Sequence, residues 1–121
     1  MNNNKTFDIH ERIFKFVVMV LKDIRNTPKT PENQIILNQL IRSVTSVGAN
    51  DQEADGVSTK KDFIHCCTIV RKELKETKYW LRVLTEVNQL QSNNLSRDIN
   101  ESDELIKILS TIIKNAALPK N

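Results

Sequence analysis

The chain has 121 residues, a net charge of +3 and 39% hydrophobic residues. This length predicts one domain (1–121), and the apolar content excludes an intrinsically disordered chain. With only 2 glycines and 3 prolines, the chain should have few turns and therefore long elements. The longest apolar run, FVVMVL, is too short to span a membrane, and MNNNKTFD lacks the apolar core of a signal peptide. We therefore expect a cytoplasmic protein with no membrane contact.

Two amphipathic helices are predicted in the first half of the chain. Helix one, residues 8–25, begins at Asp8, whose carboxylate can accept from free first-turn amides. Helix two, residues 31–55, begins after Thr30, and Gly56 should cap its C-terminus. Their apolar residues recur at helical spacing: Ile9, Ile13, Phe16, Val17, Val20 and Ile24, widened by Phe14, Val18 and Leu21, in helix one, and Leu37, Leu40, Ile41, Val44 and Val47 in helix two.

Two further helices follow, at residues 59–90 and 96–117. Thr59 and Asp62 resemble a capping box at the start of helix three. Four amphipathic helices with short connections predict an all-α protein, an antiparallel up-and-down four-helix bundle. The predicted core positions are Phe63, Cys67, Val70, Leu74, Thr77, Leu81 and Leu84 in helix three, and Ile99, Ile106, Leu109 and Ile113, with Leu105, Ile112 and Ala116 beside them, in helix four.

Helix three carries two more stripes beside its core seam. One is apolar and lies roughly 110° from the seam, by the 100° step per residue. Glu73 and Glu76 fall within it. An apolar band this wide indicates either a broad core flank or a surface for self-association. Its apolar members are Ile69, Trp80, Val83 and Val87.

The other stripe of helix three is basic, with Glu86 as its only acid. A row of cations on one helix face is either solvated or contacts a phosphate backbone. Self-association would multiply a weak basic row into a larger surface through avidity. The candidate nucleic-acid-binding residues are Arg71, Lys75, Lys78 and Arg82, helped by Lys60, Lys61 and Lys72.

The sequence predicts no catalytic residue, cofactor or metal site. His65, Cys66 and Cys67 are consecutive helical residues, so their side chains diverge and cannot surround one zinc ion. Glu73 and Glu76 lack the Glu-x-x-His partner that a di-metal carboxylate bundle requires. No glycine-rich phosphate loop is present.

The order of residues in RSVTSVGANDQEADGVSTKKDFI (42–64), followed by ELKETKYWLRVL (73–84), is distinctive. It resembles the four-helix-bundle proteins that are encoded by intervening sequences within bacterial 23S ribosomal RNA genes. Asp51 departs from the aliphatic or aromatic residue usual in that family. The resemblance covers about residues 7–113 in architecture and is specific over 42–84. The matching residues are Arg42, Ser43, Ser46, Val47, Asn50, Glu53, Ala54, Asp62, Phe63, Ile64, Glu73, Glu76, Trp80 and Leu81.

The resemblance implies a four-helix bundle that assembles into a ring-like homopentamer. A similar scaffold is found in the accessory variability proteins of diversity-generating retroelements, which work with a reverse transcriptase and its RNA. The leading expectation is therefore a non-enzymatic homo-oligomer that binds structured RNA or ribonucleoprotein through the basic face. The alternative is a protein-interaction scaffold, for example a partner of a reverse transcriptase.

The small and polar residues of RSVTSVGANDQEA also favour close contacts of helix two with its neighbours. Val44, Val47, Gly48 and Asp51 should face the core. Gly48 costs about 1 kcal/mol of helix propensity relative to Ala, which packing must offset. The expected helix or subunit contact residues are Arg42, Ser46, Gly48, Asn50, Glu53, Glu73, Glu76 and Trp80.

Overall fold

A computed structural model describes residues 8–89 and 93–119, which form four α-helices and no strand. The helices α1 and α3 each pack against both α2 and α4, which makes a four-helix bundle. No helix in the described ranges is long and apolar enough to cross a membrane. Residues 1–7 and the predicted end of helix three at residue 90 lie outside the described residues. The helices are α1 (Ile9–Asp23), α2 (Pro31–Gly56), α3 (Lys60–Asn88) and α4 (Asn93–Ala117).

Short polar side chains cap the first three helices at their N-termini. The Asp8 carboxylate accepts from the backbone amides of His10 and Glu11, at 3.0 and 3.2 Å. The hydroxyl of Thr30 accepts from an amide of α2 at 3.2 Å, and that of Thr59 accepts from an amide of α3 at 3.1 Å. Each bond satisfies an amide that has no partner within its own helix.

The other helix ends differ from the predicted ones. Gly56 is the last residue of α2 and has no positive φ, and the extended residue Val57 follows it. The predicted glycine cap is therefore wrong. Among the described residues, Gln89, directly after α3, adopts the left-handed conformation at φ 49°. The fourth helix begins at Asn93 and not near residue 96, so the polar residues Asn93 and Asn94 belong to its first turn.

The core seam of α3 is as predicted, with every member buried except Phe63, which is partly buried. In α4 the seam is rotated relative to the prediction, because the polar residues Asp98 and Ser102 lie on the buried line. Ile41 and Phe14, which the sequence assigns to the apolar stripes of helices two and one, lie outside the core, since they are 41% and 60% exposed. The buried line of α4 is Leu95, Asp98, Ser102, Leu105 and Leu109, with Ile99, Ile106, Ile112 and Ile113 packed beside it.

Two pairs of polar side chains join α2 to α3 inside this core. The Thr77 hydroxyl lies 2.9 Å from that of Ser43, and both residues are fully buried. The amides of Asn33 and Asn88 exchange two hydrogen bonds of 2.7 and 2.9 Å. Because a buried polar group without a partner costs about 1–3 kcal/mol, these pairs fix how α2 and α3 are aligned.

Gly48 lies where α2 approaches α1. A Cβ atom built at this position would lie 3.4 Å from Cγ2 of Val17, an ordinary van der Waals contact. The helix that lies against Gly48 therefore comes from the same chain, and the approach leaves room for a methyl group.

We expect Gly48→Ala to raise the free energy of unfolding by up to about 1 kcal/mol, since alanine favours the helix and fits against Val17. Urea unfolding followed by circular dichroism measures this change. Gly56→Ala is the control, because nothing lies within 4 Å of its Cβ position. A clear loss of stability in Gly48→Ala alone would show that α1 and α2 are too close for a side chain.

Candidate nucleic-acid interface

The basic stripe of α3 lies along the seam with α4. The guanidinium of Arg71 donates to the hydroxyl of Ser110 at 3.3 Å. The ammonium of Lys78 lies 2.6 Å from a carboxylate oxygen of Asp103. These two cations therefore already have partners on α4, which the linear sequence does not reveal. Lys60 also contacts the C-terminal end of the described chain, donating to a backbone carbonyl oxygen at 3.3 Å.

Other cations of the stripe are exposed. Lys75 and Arg82 have no ion-pair partner among residues 8–89 and 93–119, and neither does the exposed Lys72. Lys61 is exposed at the beginning of α3. These four cations are free to meet an anionic partner.

A groove of about 340 Å³ opens between α3 and α4 beside the exposed cations. The groove also contains Tyr79, which was not among the residues predicted from the sequence and which is 56% exposed. Its spacing from Lys75 and Arg82, by four and three residues, is the signal that places all three on one helix face. The groove is lined by Lys75, Lys78, Tyr79, Arg82, Asp103 and Ile106.

The opposite flank of α3 lies along the seam with α2. The guanidinium of Arg42 on α2 contacts the carboxylate of Glu76 at 2.9 Å. Glu73 is buried, and its Oε1 accepts no hydrogen bond from residues 8–89 or 93–119. Burial raises the pKa of Glu73, and the neighbouring Glu76 raises it further, whereas Arg42 opposes the shift. The buried indole nitrogen of Trp80 also has no acceptor within the described part of the chain.

The other predicted contact residues do not join this flank. Asn50 donates to the carbonyl and hydroxyl oxygens of Ser46 at 2.9 and 3.0 Å, within α2. Glu53 is exposed, and Gly48 faces α1. Of the eight expected contact residues, the structure therefore brings Arg42 together with Glu76 and close enough to Glu73 to interact with its charge.

The unusual Asp51 is explained by a residue of α1. Its buried carboxylate lies 2.8 Å from Nδ1 of His10, and Nε2 of the same ring lies 3.3 Å from the carboxylate of Asp55. Burial raises the pKa of Asp51, whereas the hydrogen bond with His10 lowers it. His10 thus links α1 to α2, a contact between residues 41 positions apart that no local pattern signals.

The consecutive residues His65, Cys66 and Cys67 have different surroundings: they are exposed, partly buried and buried respectively. Burial raises the pKa of the Cys67 thiol to about 11, which keeps it protonated and unreactive. Within the described part of the chain, no three histidine, cysteine or acidic side chains are grouped to hold a metal ion.

Comparison with known proteins places this geometry in a family. The family model for the 23S rRNA-intervening sequence protein matches residues 5–111, which reach from the beginning of α1 into the last turns of α4. The chain belongs to the 23S rRNA-intervening sequence protein family. The matched range contains both flanks of α3, the Tyr79 groove and the contact between His10 and Asp51.

A solved structure supports the same fold for this member of the 23S rRNA-intervening sequence protein family. It is the crystal structure, at 1.70 Å resolution, of a protein with unknown function from the S23 ribosomal protein family of Bacteroides thetaiotaomicron VPI-5482. The two chains are 29% identical and superpose with a TM-score of 0.76, over 88% of this chain and 99% of the other. No curated protein sequence matches significantly.

A buried carboxyl pair connects α1 and α4 in this family member. Asp98 is fully buried, and neither of its carboxylate oxygens accepts a hydrogen bond from the residues that the structure describes. Burial, reinforced by the nearby Asp23, raises the pKa of Asp98 to about 8. Asp23 in turn accepts from Arg97 at 3.3 Å. At neutral pH Asp98 is therefore mostly protonated and can donate to the Asp23 carboxylate.

The raised pKa makes the contribution of Asp98 to stability depend on pH. It is fully present below the pKa of an unfolded aspartate, about 3.9, and is lost as the pH rises through about 8. We expect Asp98→Asn to have a higher free energy of unfolding than the wild type well above pH 8, by roughly 2 kcal/mol or more. The introduced amide stays neutral and can still donate to Asp23.

Urea unfolding from about pH 4 to above pH 8 measures the free energy of unfolding of both proteins. Glu53→Gln removes the charge of an exposed carboxylate and serves as the control. A stability difference between wild type and Asp98→Asn that stays constant with pH would contradict the assignment of a raised pKa to this carboxyl.

Proposed function

We propose that this protein is a non-enzymatic helical-bundle protein that binds structured RNA or ribonucleoprotein through the basic face of α3. The observation that carries the proposal is the row of exposed, unpaired cations beside the groove between α3 and α4. Cations on one face release the counterions of a phosphate backbone when they bind, which gives salt-sensitive binding with weak sequence preference. A cytoplasmic location stays a prediction from the sequence.

The contacts with α4 reduce the number of residues that we propose to contact RNA phosphates. Arg71 and Lys78 would have to leave Ser110 and Asp103 before they could contact a phosphate. Lys72, Lys75 and Arg82 are exposed and need no such exchange, and Lys61 lies at the N-terminal end of the same face. We therefore assign the principal contacts to the exposed residues and a supporting role to Arg71, Lys78 and Lys60.

We also propose that the bundle is antiparallel and assembles into a ring-like homopentamer. The contacts between the start of α2 and the end of α3, through Asn33 and Asn88, support the antiparallel arrangement. The partly buried Trp80 and the 51% exposed Val87 on the same flank of α3 support a subunit contact there. A ring would bring several basic faces together and strengthen RNA binding through avidity.

The same flank supports a second candidate function, that of a protein-interaction scaffold. Trp80 is only partly buried, and with the 51% exposed Val87 on the same helix flank it offers apolar surface to a bound protein. Tryptophan in such a position is typical of residues that dominate protein interfaces. A reverse transcriptase of a diversity-generating retroelement is the partner that the resemblance suggests for this role.

We expect the double variant Lys75→Glu and Arg82→Glu to bind RNA about tenfold more weakly at low salt, since two phosphate contacts are lost. The slope of log affinity against log salt concentration should become shallower by roughly 1.5–2. Fluorescence anisotropy with a labelled structured RNA measures both quantities. Leaving Lys78 intact avoids placing a new acid beside Asp103.

The control is the double variant Lys22→Glu and Lys29→Glu, which reverses two exposed cations outside α3 and gives the same net charge. Equal losses in the two double variants would mean that net charge alone attracts RNA. Unchanged affinity in both would mean that the basic face of α3 is only solvated.

We expect the wild-type protein to have about five times its 14.0 kDa chain mass in solution, as a pentamer requires. Val87→Glu should shift this mass toward that of the monomer. A charge on this exposed side chain opposes burial in a subunit contact while leaving the bundle intact. Size-exclusion chromatography with light scattering measures the mass. Leu118→Glu is the control, since Leu118 is 55% exposed elsewhere. A wild-type monomer at micromolar concentration would exclude the assembly.

A further inference from the structure

Tyr79 has a position that phosphate binding by the basic face does not require. Tyr79 is 56% exposed in the groove between α3 and α4. Lys75 precedes it by one helical turn, and Arg82 follows it by one turn. At 1.5 Å per residue the two cations are about 10 Å apart along α3, with the ring between them.

We propose that Tyr79 is a stacking platform for an unpaired RNA base, and that the groove selects single-stranded or looped RNA over a continuous duplex. This inference rests on the proposed function, since it names the class of RNA that the same face would bind. A stacked nucleotide has a phosphate on each side of its base. Lys75 and Arg82 flank the ring on both sides and supply one cation to each.

The surroundings of the ring fit this ligand. Trp80 contacts Tyr79 edge-on, with ring centroids 4.9 Å apart and planes 76° apart, which supports the ring in its exposed position. Ile106 supplies an apolar wall on the α4 side of the groove. The single acid of the groove, Asp103, is neutralised by Lys78 at 2.6 Å, so it does not repel a phosphate.

The aromatic ring is what distinguishes unpaired from paired RNA. In an A-form duplex the bases are stacked on one another, and an exposed tyrosine can contact only the backbone or groove edges. An unpaired base leaves its flat face open to a ring, and such stacking tolerates every base because each has a π-face. The volume of about 340 Å³ is at the small end of the ~300–1,000 Å³ range for ligand sites, as suits one base.

The test compares Tyr79→Leu with Tyr79→Phe, using a labelled single-stranded RNA of about 12 nucleotides and a blunt duplex of the same length. Tyr79→Leu should bind the single strand about tenfold more weakly, while Tyr79→Phe keeps the ring and the affinity. Both variants should bind the duplex as the wild type does. Because Tyr79 is exposed, neither change should disturb the fold, and circular dichroism checks this.

A second readout reports the stacking itself. The fluorescence of 2-aminopurine placed in the single strand should be quenched by the wild type and by Tyr79→Phe, and not by Tyr79→Leu. Suppose that Tyr79→Leu keeps the single-strand affinity and the quenching, while the double variant Lys75→Glu and Arg82→Glu binds RNA more weakly. This result would overturn the stacking platform and leave the basic interface in place. Unchanged RNA binding in all of these variants would overturn the proposed function as well.

Discussion

The burial of one continuous seam of α3 against both α2 and α4 sets the orientation of every other residue on that helix. Val70, Leu74, Leu81 and Leu84 are fully buried, and Thr77 is buried among them. A helix with its seam fixed in this way cannot rotate without exposing these side chains, at roughly 1.5–3 kcal/mol for each aliphatic one. The seam therefore decides which stripe of α3 meets α4, which meets α2 and which remains in solvent.

Polar groups inside the bundle add specificity to this hydrophobic constraint. The hydroxyl pair of Thr77 and Ser43 and the amide pair of Asn33 and Asn88 are satisfied in one alignment of α2 and α3. A shift of one helix along the other would leave these groups buried without partners. Asp98 differs, since burial, reinforced by the nearby Asp23, raises its pKa and links the packing of α1 and α4 to pH.

The two flanks of α3 divide the functional surface between different chemistries. Cations and Tyr79 lie toward α4, whereas acids and Trp80 lie toward α2. Tyr79 and Trp80 are adjacent in sequence and touch edge-on, so the two flanks meet at this ring pair.

The sequence by itself determined the helical class, the caps at Asp8, Thr30 and Thr59, the α3 seam and the family, because these depend on local spacing and on residue order. It misplaced the buried line of α4, since Asp98 and Ser102 interrupt the apolar pattern there. Only the tertiary structure decided that His10 meets Asp51, that Lys78 is held by Asp103 and that Tyr79 remains exposed. These outcomes depend on how neighbouring helices are rotated and aligned, which contacts between residues distant in the chain determine.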